Sequence, residues 1–555
     1  MMNGPVVRVS GATLAGLLCG LVMVPGSVTG ASASPGASET GKRIADQGAA
    51  NASAVACASC HGADGSGNDA AGFPRLAGLN AAYLEKQLLS YRDGSNKNPV
   101  MASMATSLSL EEIKEVAAYY AGLDAASHAT APAGVPIDRG KKLAEDGDFS
   151  QRGLPACVQC HGAGGLGVGS TFPPLAGQPY QYLVEQLAAW KSGIRTNDPL
   201  GMMRHVTKLL TGDEVRSVAA YFAAQPVSQA PKNTQAKSNK QKSTVKTAAP
   251  AVHTGPVAHH GEVAPGRGPE NDGYFVPPSR ENFPDGPFGE KVQQGEAIFN
   301  HTNTHKVSRG YVGNEQVCSG CHLDAGRLAN SAPLWGSWVS YPAYRRKTKA
   351  VNTLIERVQG CFKYSMNSQG SKVKHPPAAE SDTIVSLVSY AYWLSTGAPT
   401  GDSNIAGRGY ARVAETSLGF DPGRGKRVYE KNCAVCHGAN GEGQWAQGEV
   451  VFPALWGPNS YNWGAGMHKV NTATAYIKWN MPLGISSSVQ MYALLTDQEA
   501  WDVAAFMNSH ERPQDPRFDG NFSLTARTFH SSKYDYYGKL KQPNGKLLGK
   551  DAPLK

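Results

Sequence analysis

Apolar positions along the chain recur at helical spacing in short blocks, and the blocks return in the same order. Ser109 with Glu112 and Thr211 with Glu214 are spaced as capping boxes. Each opens a run of small and aromatic residues, Val116-Ala117-Ala118-Tyr119 and Val218-Ala219-Ala220-Tyr221. Upstream, Phe73-Pro74-Arg75-Leu76-Ala77-Gly78 matches Phe172-Pro173-Pro174-Leu175-Ala176-Gly177, and Tyr83-Leu84-Glu85-Lys86-Gln87-Leu88 matches Tyr182-Leu183-Val184-Glu185-Gln186-Leu187. The pattern predicts two copies of one small helical domain in tandem. The second half follows the same order with different residues. Helices are predicted near Gly289 to Phe299, over Thr383 to Leu394, over Gly423 to Lys431, and from a cap at Thr496 and Glu499 to Asn508.

Where the period fails, the chain reads as connection. Residues 226–285 turn to Lys, Thr, Ala, Pro and Gly and are expected to form a flexible linker between two halves. After Arg512 the residues are polar, basic and in places aromatic without a clear element, so a tail that wraps or frays is expected. At the other end, Arg8, the apolar run Ala12 to Val24 and Ala31-Ser32-Ala33 read as a signal peptide over residues 1–33. The run falls short of the roughly 20 residues a spanning helix needs. A lipid anchor on Cys19 is disfavoured because Leu18 precedes it. The product is therefore expected to be exported, periplasmic and without an integral membrane segment.

At 555 residues the chain is too long for one core. The pattern divides it into domains at 34–127, 128–225, 286–400 and 401–555, the last including the tail. The formal charge of +9 is partly local, with Lys232, Lys237, Lys240, Lys242 and Lys246 in a stretch free of acids. That stretch lacks the folded face and interleaved aromatics of a nucleic-acid footprint, so it reads as solvated linker.

Ten cysteines in an exported chain would ordinarily suggest disulfides, but eight of them form the pairs Cys57/Cys60, Cys157/Cys160, Cys318/Cys321 and Cys433/Cys436. Each pair is followed directly by a histidine. In CxxCH two thiols add to the vinyl groups of haem and the imidazole binds its iron, so four covalent haem c groups are predicted, with His61, His161, His322 and His437 as ligands. Structural zinc explains four such motifs poorly. About 100 residues per haem then point to an all-α protein of four class I cytochrome c domains in two dihaem halves.

The opposite iron ligand decides whether a haem only carries electrons or also meets substrate. Aligning the repeats sets Met101 opposite Met203, with Met202 a competitor and Met104 less suited. In the fourth unit Met481 is the candidate, with Met467, Lys478 and Met491 as alternatives. The third unit holds Met366 and, unpaired, Cys361. Met366 as ligand beside an inert thiol is one reading. Arg357 and Lys363 flanking Cys361 favour the other, a thiolate that ligates metal.

Asn330-Ser331-Ala332-Pro333-Leu334-Trp335-Gly336, Tyr341-Pro342-Ala343-Tyr344-Arg345, and Glu356-Arg357 through Cys361-Phe362 to Tyr364-Ser365-Met366-Asn367 resemble the dihaem thiosulfate dehydrogenases that form tetrathionate. The resemblance spans about residues 285–515. The first half resembles a dihaem cytochrome of the c4 type, so the whole resembles a fusion of electron acceptor and dehydrogenase. The resemblance implies that Cys361 ligates the haem on Cys318/Cys321 and that this haem is the substrate site. Some relatives hold the second haem by a lysine next to the methionine. Here that position is Asn480, which implies a plain His437/Met481 pair.

Two thiosulfate dianions brought together need a cationic, partly desolvated pocket. Arg345, Arg346, Lys347 and Arg357 are the candidate cations, Ser365 and Asn367 the candidate hydrogen-bond donors, and Cys361 a candidate nucleophile for a transient substrate adduct. Electrons are expected to leave for an external periplasmic carrier or oxidase. A purely electron-carrying protein and an enzyme working mainly as a tetrathionate reductase are the alternatives.

Overall fold

The computed structural model describes residues 38–49, 55–124, 126–227, 273–402 and 404–553. The stretch read as a signal peptide, Cys19 and the greater part of the stretch read as linker lie outside these residues.

Four helical units follow one another, each opened by one helix and closed by another packed across it. The pairs are Glu39–Gln47 with Leu110–Gly122, Ile137–Glu145 with Gly212–Ala223, Gly286–Asn300 with Asp382–Leu394, and Pro422–Asn432 with Asp497–Asn508. Every pair crosses at a glycine of the opening helix. A Cβ built on Gly41, Gly140, Gly295 or Gly425 would lie 2.2, 1.9, 2.2 or 1.9 Å from the carbonyl oxygen of Glu115, Ser217, Ser386 or Asp502. Only a residue without a side chain lets the two backbones come this close. The common crossing makes the third and fourth units structural repeats of the first two, although their sequences differ.

The closing helices begin as their caps predict. Ser109, Thr211 and Thr496 each accept from the backbone N–H three residues on, and Glu112, Glu214 and Glu499 answer from that position. The all-α expectation holds with two small additions. Ala343–Arg345 pairs antiparallel with Ala350–Asn352, and Gln444–Ala446 with Glu449–Phe452.

Two stretches read as connection are ordered instead. Residues 273–285, assigned to the linker from sequence, pack on the third unit. Phe275 lies 5.1 Å from Trp335 and Phe283 stacks on Trp393 at 4.7 Å between ring centroids. Arg280 binds Glu296 at 2.7 Å and Asp324 at 3.3 Å, and reaches Asp146 of the second unit at 3.8 Å. The tail after Arg512 wraps rather than frays: it contains the helix Phe522–Phe529, and Tyr537 and Leu548 are fully buried against Trp463. Among the described residues no helix is long and apolar enough to cross a membrane.

Candidate functional site

Each CxxCH segment forms one tight turn in which the histidine N–H donates to the carbonyl of the first cysteine, at 3.0 Å in Cys57–His61, 2.9 Å in Cys157–His161, 3.1 Å in Cys318–His322 and 2.9 Å in Cys433–His437. One turn thus sets two thiols and an imidazole together. The imidazole Nδ1 donates in turn to a backbone carbonyl: His61 to Pro74 at 2.9 Å, His161 to Pro173 at 2.8 Å, His322 to Ala332 at 2.6 Å and His437 to Pro453 at 2.9 Å. This bond fixes the tautomer and leaves Nε2 free as a ligand. Burial pushes all four imidazoles toward the neutral, ligating form, and with Arg357 adding its charge His322 falls to about 4.

The surroundings fit haem. A cavity of about 330 Å³ is lined by Cys433, Cys436, His437, Tyr461 and Met481, and one of about 160 Å³ by Cys157, Cys160, His161, Met202 and Met203. Buried guanidinium groups nearby have no carboxylate partner. Arg75, 2% exposed, donates to the carbonyls of Ala77 and Ala176 and leaves Nε unpaired. Arg512, 0% exposed and 4.4 Å from the Tyr461 ring, leaves Nε and Nη1 unpaired. A buried cationic donor demands an acceptor, and haem propionates would supply one.

Cys60, the second cysteine of the first pair, follows the same pattern in a more open setting. Its backbone keeps the motif's turn, donating to the Cys57 carbonyl at 3.2 Å as Cys160 does to Cys157. It is half-buried beside exposed Ser59, whose Oγ stands 4.0 Å from Sγ. Cys160 and Cys436 share an apolar cluster built from the second and fourth units together, whereas only Cys57 of the first pair packs on an apolar cluster among the described residues.

The candidate distal ligands separate by place. Met481 and Met467 both line the larger cavity. Met491 is 41% exposed, and Lys478 is engaged by the Leu495 carbonyl at 2.7 Å and Asp497 at 2.8 Å; neither lines that cavity. Met202 and Met203 both border the smaller cavity, Met202 as part of an apolar cluster with Val168, Phe172, Phe452 and Ile485. Met104 packs against the core of the first unit, whereas Met101 is half-buried on the helix Pro99–Ser107.

The third unit differs from the rest. Thr353 and Glu356 form a capping box that starts the helix Leu354–Tyr364. Leu354, Val358 and Phe362 bury one face of it, which turns Arg357, Cys361 and Tyr364 to the adjoining face. Arg357 Nη1 donates to Cys361 Sγ at 2.8 Å. Cys361 also lies close enough to Cys318 and Cys321 to raise their thiol pKa, an effect secondary to burial. Met366 is 4% exposed within the hydrophobic core, its carbonyl accepting from Gly313 N–H at 2.8 Å.

Arg345 and Lys347 stand beside this helix. Lys347 Nζ donates to the Gly464 carbonyl and lies 3.3 Å from the centre of the Tyr364 ring. Burial first, then the charges of Arg517, Arg357 and Arg345, hold its ammonium well below the ordinary lysine range. Arg346 is exposed between two half-buried neighbours, at the start of the turn that joins Ala343–Arg345 to Ala350–Asn352. Asn367 is fully buried with φ +49°; its Oδ1 accepts from Asn462 at 3.0 Å and its Nδ2 has no partner. Ser365 is half-buried, and its backbone N–H donates to the Cys361 carbonyl at 2.8 Å.

Arg517 was missed in the sequence, since it falls in the stretch read as a tail. The aromatic run Tyr534, Tyr536, Tyr537 was the available sign that this stretch packs.

The comparisons agree with this arrangement. Residues 38–124, 137–225 and 423–511 match the family model described as cytochrome c, and residues 295–400 match the one described as SoxA/TsdA, cytochrome c domain. A thiosulfate dehydrogenase of Stutzerimonas stutzeri is 51% identical over 50% of this chain and 86% of its own length. A thiosulfate dehydrogenase electron acceptor of the same organism is 49% identical over 33% of this chain and 85% of its own. The solved structure of thiosulfate dehydrogenase (TsdBA) from Marichromatium purpuratum, as isolated, is 47% identical, covers 93% of this chain and 99% of its own, and superposes with a TM-score of 0.81. Four haem c groups on the four cysteine pairs follow, and the chain belongs to the thiosulfate dehydrogenase family, in the form that carries a cytochrome c4-like electron acceptor on the same polypeptide.

Proposed function

We propose that this protein couples two thiosulfate ions into tetrathionate, releasing two electrons, with Cys361 the sulfur ligand of the haem on Cys318/Cys321. The observation that carries the reading is the 2.8 Å contact between Arg357 and Cys361 in a pocket that also holds Arg345 and Lys347. A guanidinium at that distance donates to the sulfur that would bind the iron and holds it in place. The haem supplies a one-electron acceptor beside the pocket when bound. Arg345 lies where it can offset the mutual repulsion of two dianions, and an entering anion would favour the Lys347 ammonium that burial and its cationic neighbours disfavour. Asn367 Nδ2, buried and unpartnered, is a further donor for a substrate oxygen or a propionate.

The route out of the pocket is supported by shared walls. Gly320 and Cys321 of the third unit and Val158, Gln159 and Ala163 of the second all line the cavity of Cys433, Cys436 and His437. Cys160 and Cys436 pack on one apolar cluster, where Phe172 meets Phe452 at 5.1 Å. Leu79, Tyr83 and Gln87 of the first unit line the cavity of the second. Electrons then pass from third to fourth to second to first unit, and on to an external periplasmic carrier or oxidase. With Met481 opposite His437 and methionines opposite His61 and His161, for which Met101 and Met203 are the candidates, those three sites would be suited to carrying charge rather than to binding substrate.

Steady-state turnover of thiosulfate with an artificial one-electron acceptor, with tetrathionate quantified as product, tests the reading. A pure electron carrier would show no turnover. A protein working mainly in reverse would reduce tetrathionate faster than it oxidises thiosulfate.

A further inference from the structure

The C-terminal segment does more than cover the fourth unit. Four of its side chains and one from the fourth unit form a continuous buried polar chain. Arg517 donates from Nε to Asp515 Oδ1 at 2.9 Å and from Nη2 to Asp515 Oδ2 at 2.5 Å. His530 donates from Nε2 to the same Asp515 Oδ2 at 2.9 Å and from Nδ1 to Asp535 Oδ2 at 2.8 Å. His468 donates from Nε2 to Asp535 Oδ2 at 2.7 Å and from Nδ1 to the Ala465 carbonyl. Asp515, His530, Asp535 and His468 are 1, 0, 0 and 3% exposed.

The cluster has donor types that could hold a metal ion, yet its spacing argues otherwise. Ligand atoms around a tetrahedral ion with bonds of about 2.0 Å stand roughly 3.3 Å apart. Here each imidazole nitrogen stands 2.7 to 2.9 Å from a carboxylate oxygen, a hydrogen-bond length.

The outer end of the chain decides what it is for. Arg517 lies 5.4 Å from the centre of the Tyr364 ring, on whose face Lys347 sits at 3.3 Å, and 4.1 Å from the Phe529 ring. Tyr364 is three residues beyond Cys361 on the same helix, so the two share a surface of it. Asp515 does not cancel the Arg517 charge, because its carboxylate is shared with the His530 imidazole. The guanidinium Nη1 is not used by Asp515. Both carboxyl groups are held well below the usual range by these cations in spite of burial.

We infer that Arg517 is a substrate-binding residue, a cation brought by the C-terminal segment to the pocket of Arg345, Lys347 and Arg357, and that Asp515, His530, Asp535 and His468 are positioning residues that hold it there. The inference rests on the proposal that this pocket takes anionic sulfur substrates, and it adds that the pocket is closed by residues more than 150 positions from Cys361 in sequence.

The test is steady-state kinetics of the holoprotein with thiosulfate. Arg517→Ala is expected to raise KM about tenfold with kcat within about threefold, as for loss of a binding charge. Arg517→Lys recovers part of the loss. His530→Gln raises KM less, and adds nothing on the Arg517→Ala background, since it acts through Arg517. Haem content of four per chain reports folding, and where Arg517→Ala loses haem, Arg517→Gln takes its place. An unchanged KM in a four-haem Arg517 variant overturns the inference, as does additivity of the two substitutions or a stoichiometric metal other than iron in the purified protein. If wild-type protein does not turn over thiosulfate at all, the pocket reading fails; if it does and Arg517 is silent, this inference alone fails.

Discussion

Arg357 and Cys361 are one helical turn apart on Leu354–Tyr364, with Nη1 2.8 Å from Sγ, so the guanidinium and the sulfur are set against each other by the period of the helix alone. Burial disfavours the Arg357 charge, but the neighbouring sulfur more than offsets it and lifts the guanidinium above its ordinary value.

Removing either partner should therefore separate chemistry from folding. Cys361→Met is expected to keep four haems, change the visible spectrum of one of them and reduce thiosulfate turnover about 100-fold or more. Arg357→Ala should lower kcat/KM by a similar factor. Haem quantification beside turnover checks both, and full activity in Cys361→Met would remove the thiolate from the reaction.

The helix crossings give a stability prediction. Gly425→Ala would push a methyl to within 1.9 Å of the Asp502 carbonyl and should cost about 3 kcal/mol or more, with loss of haem from the fourth unit. Gly466→Ala has open space around its Cβ position and is expected to stay within about 1 kcal/mol. Thermal unfolding followed in the visible region compares the two.

Substitution of distal methionines should move potentials without abolishing substrate binding. Met481→Ala is expected to lower the reduction potential of the haem on Cys433/Cys436 and slow electron exit, while thiosulfate still perturbs the spectrum of the haem on Cys318/Cys321. Spectroelectrochemistry resolves the shift. Met203→Ala and Met202→Ala, made separately, should show one large shift and one small one.

Acid should loosen the second unit through Glu214. Burial opposes ionisation there, but hydrogen bonds from Arg152, the Thr211 backbone and Arg139 hold its carboxyl at about 2, against an ordinary 4.5. A depressed carboxylate stabilises the fold above its ordinary value and loses that contribution as the pH falls from 4.5 toward 2. Glu214→Gln should cost about 1–2 kcal/mol at pH 6 and almost nothing near pH 2, by denaturant unfolding at each pH.

The helices were legible because their signals are local. Thr211 with Glu214, or Thr496 with Glu499, announce a start within four residues, and the CxxCH motifs carry their chemistry in five. Residues whose role depends on distant partners gave no such sign. Cys60 and Cys160 stand at the same place in one motif, yet among the described residues Cys160 and not Cys60 packs on an apolar cluster shared with the fourth unit. The turn after Ala343–Arg345 leaves no local mark, so nothing in the sequence separated exposed Arg346 from half-buried Arg345 and Lys347. His468 and Asp535 are 67 residues apart, and their bond makes sense of a tail whose polarity reads locally as exposure. The glycines at the crossings were equally silent, since each is needed only because a second helix lies across it.

Val158, Gln159 and Ala163 form part of the wall around Cys433, Cys436 and His437, so the piece that gives up charge and the piece that takes it never have to find one another. Their encounter is unimolecular, and throughput per molecule is indifferent to dilution. Salt, which slows meetings between separate charged proteins, leaves this handover untouched.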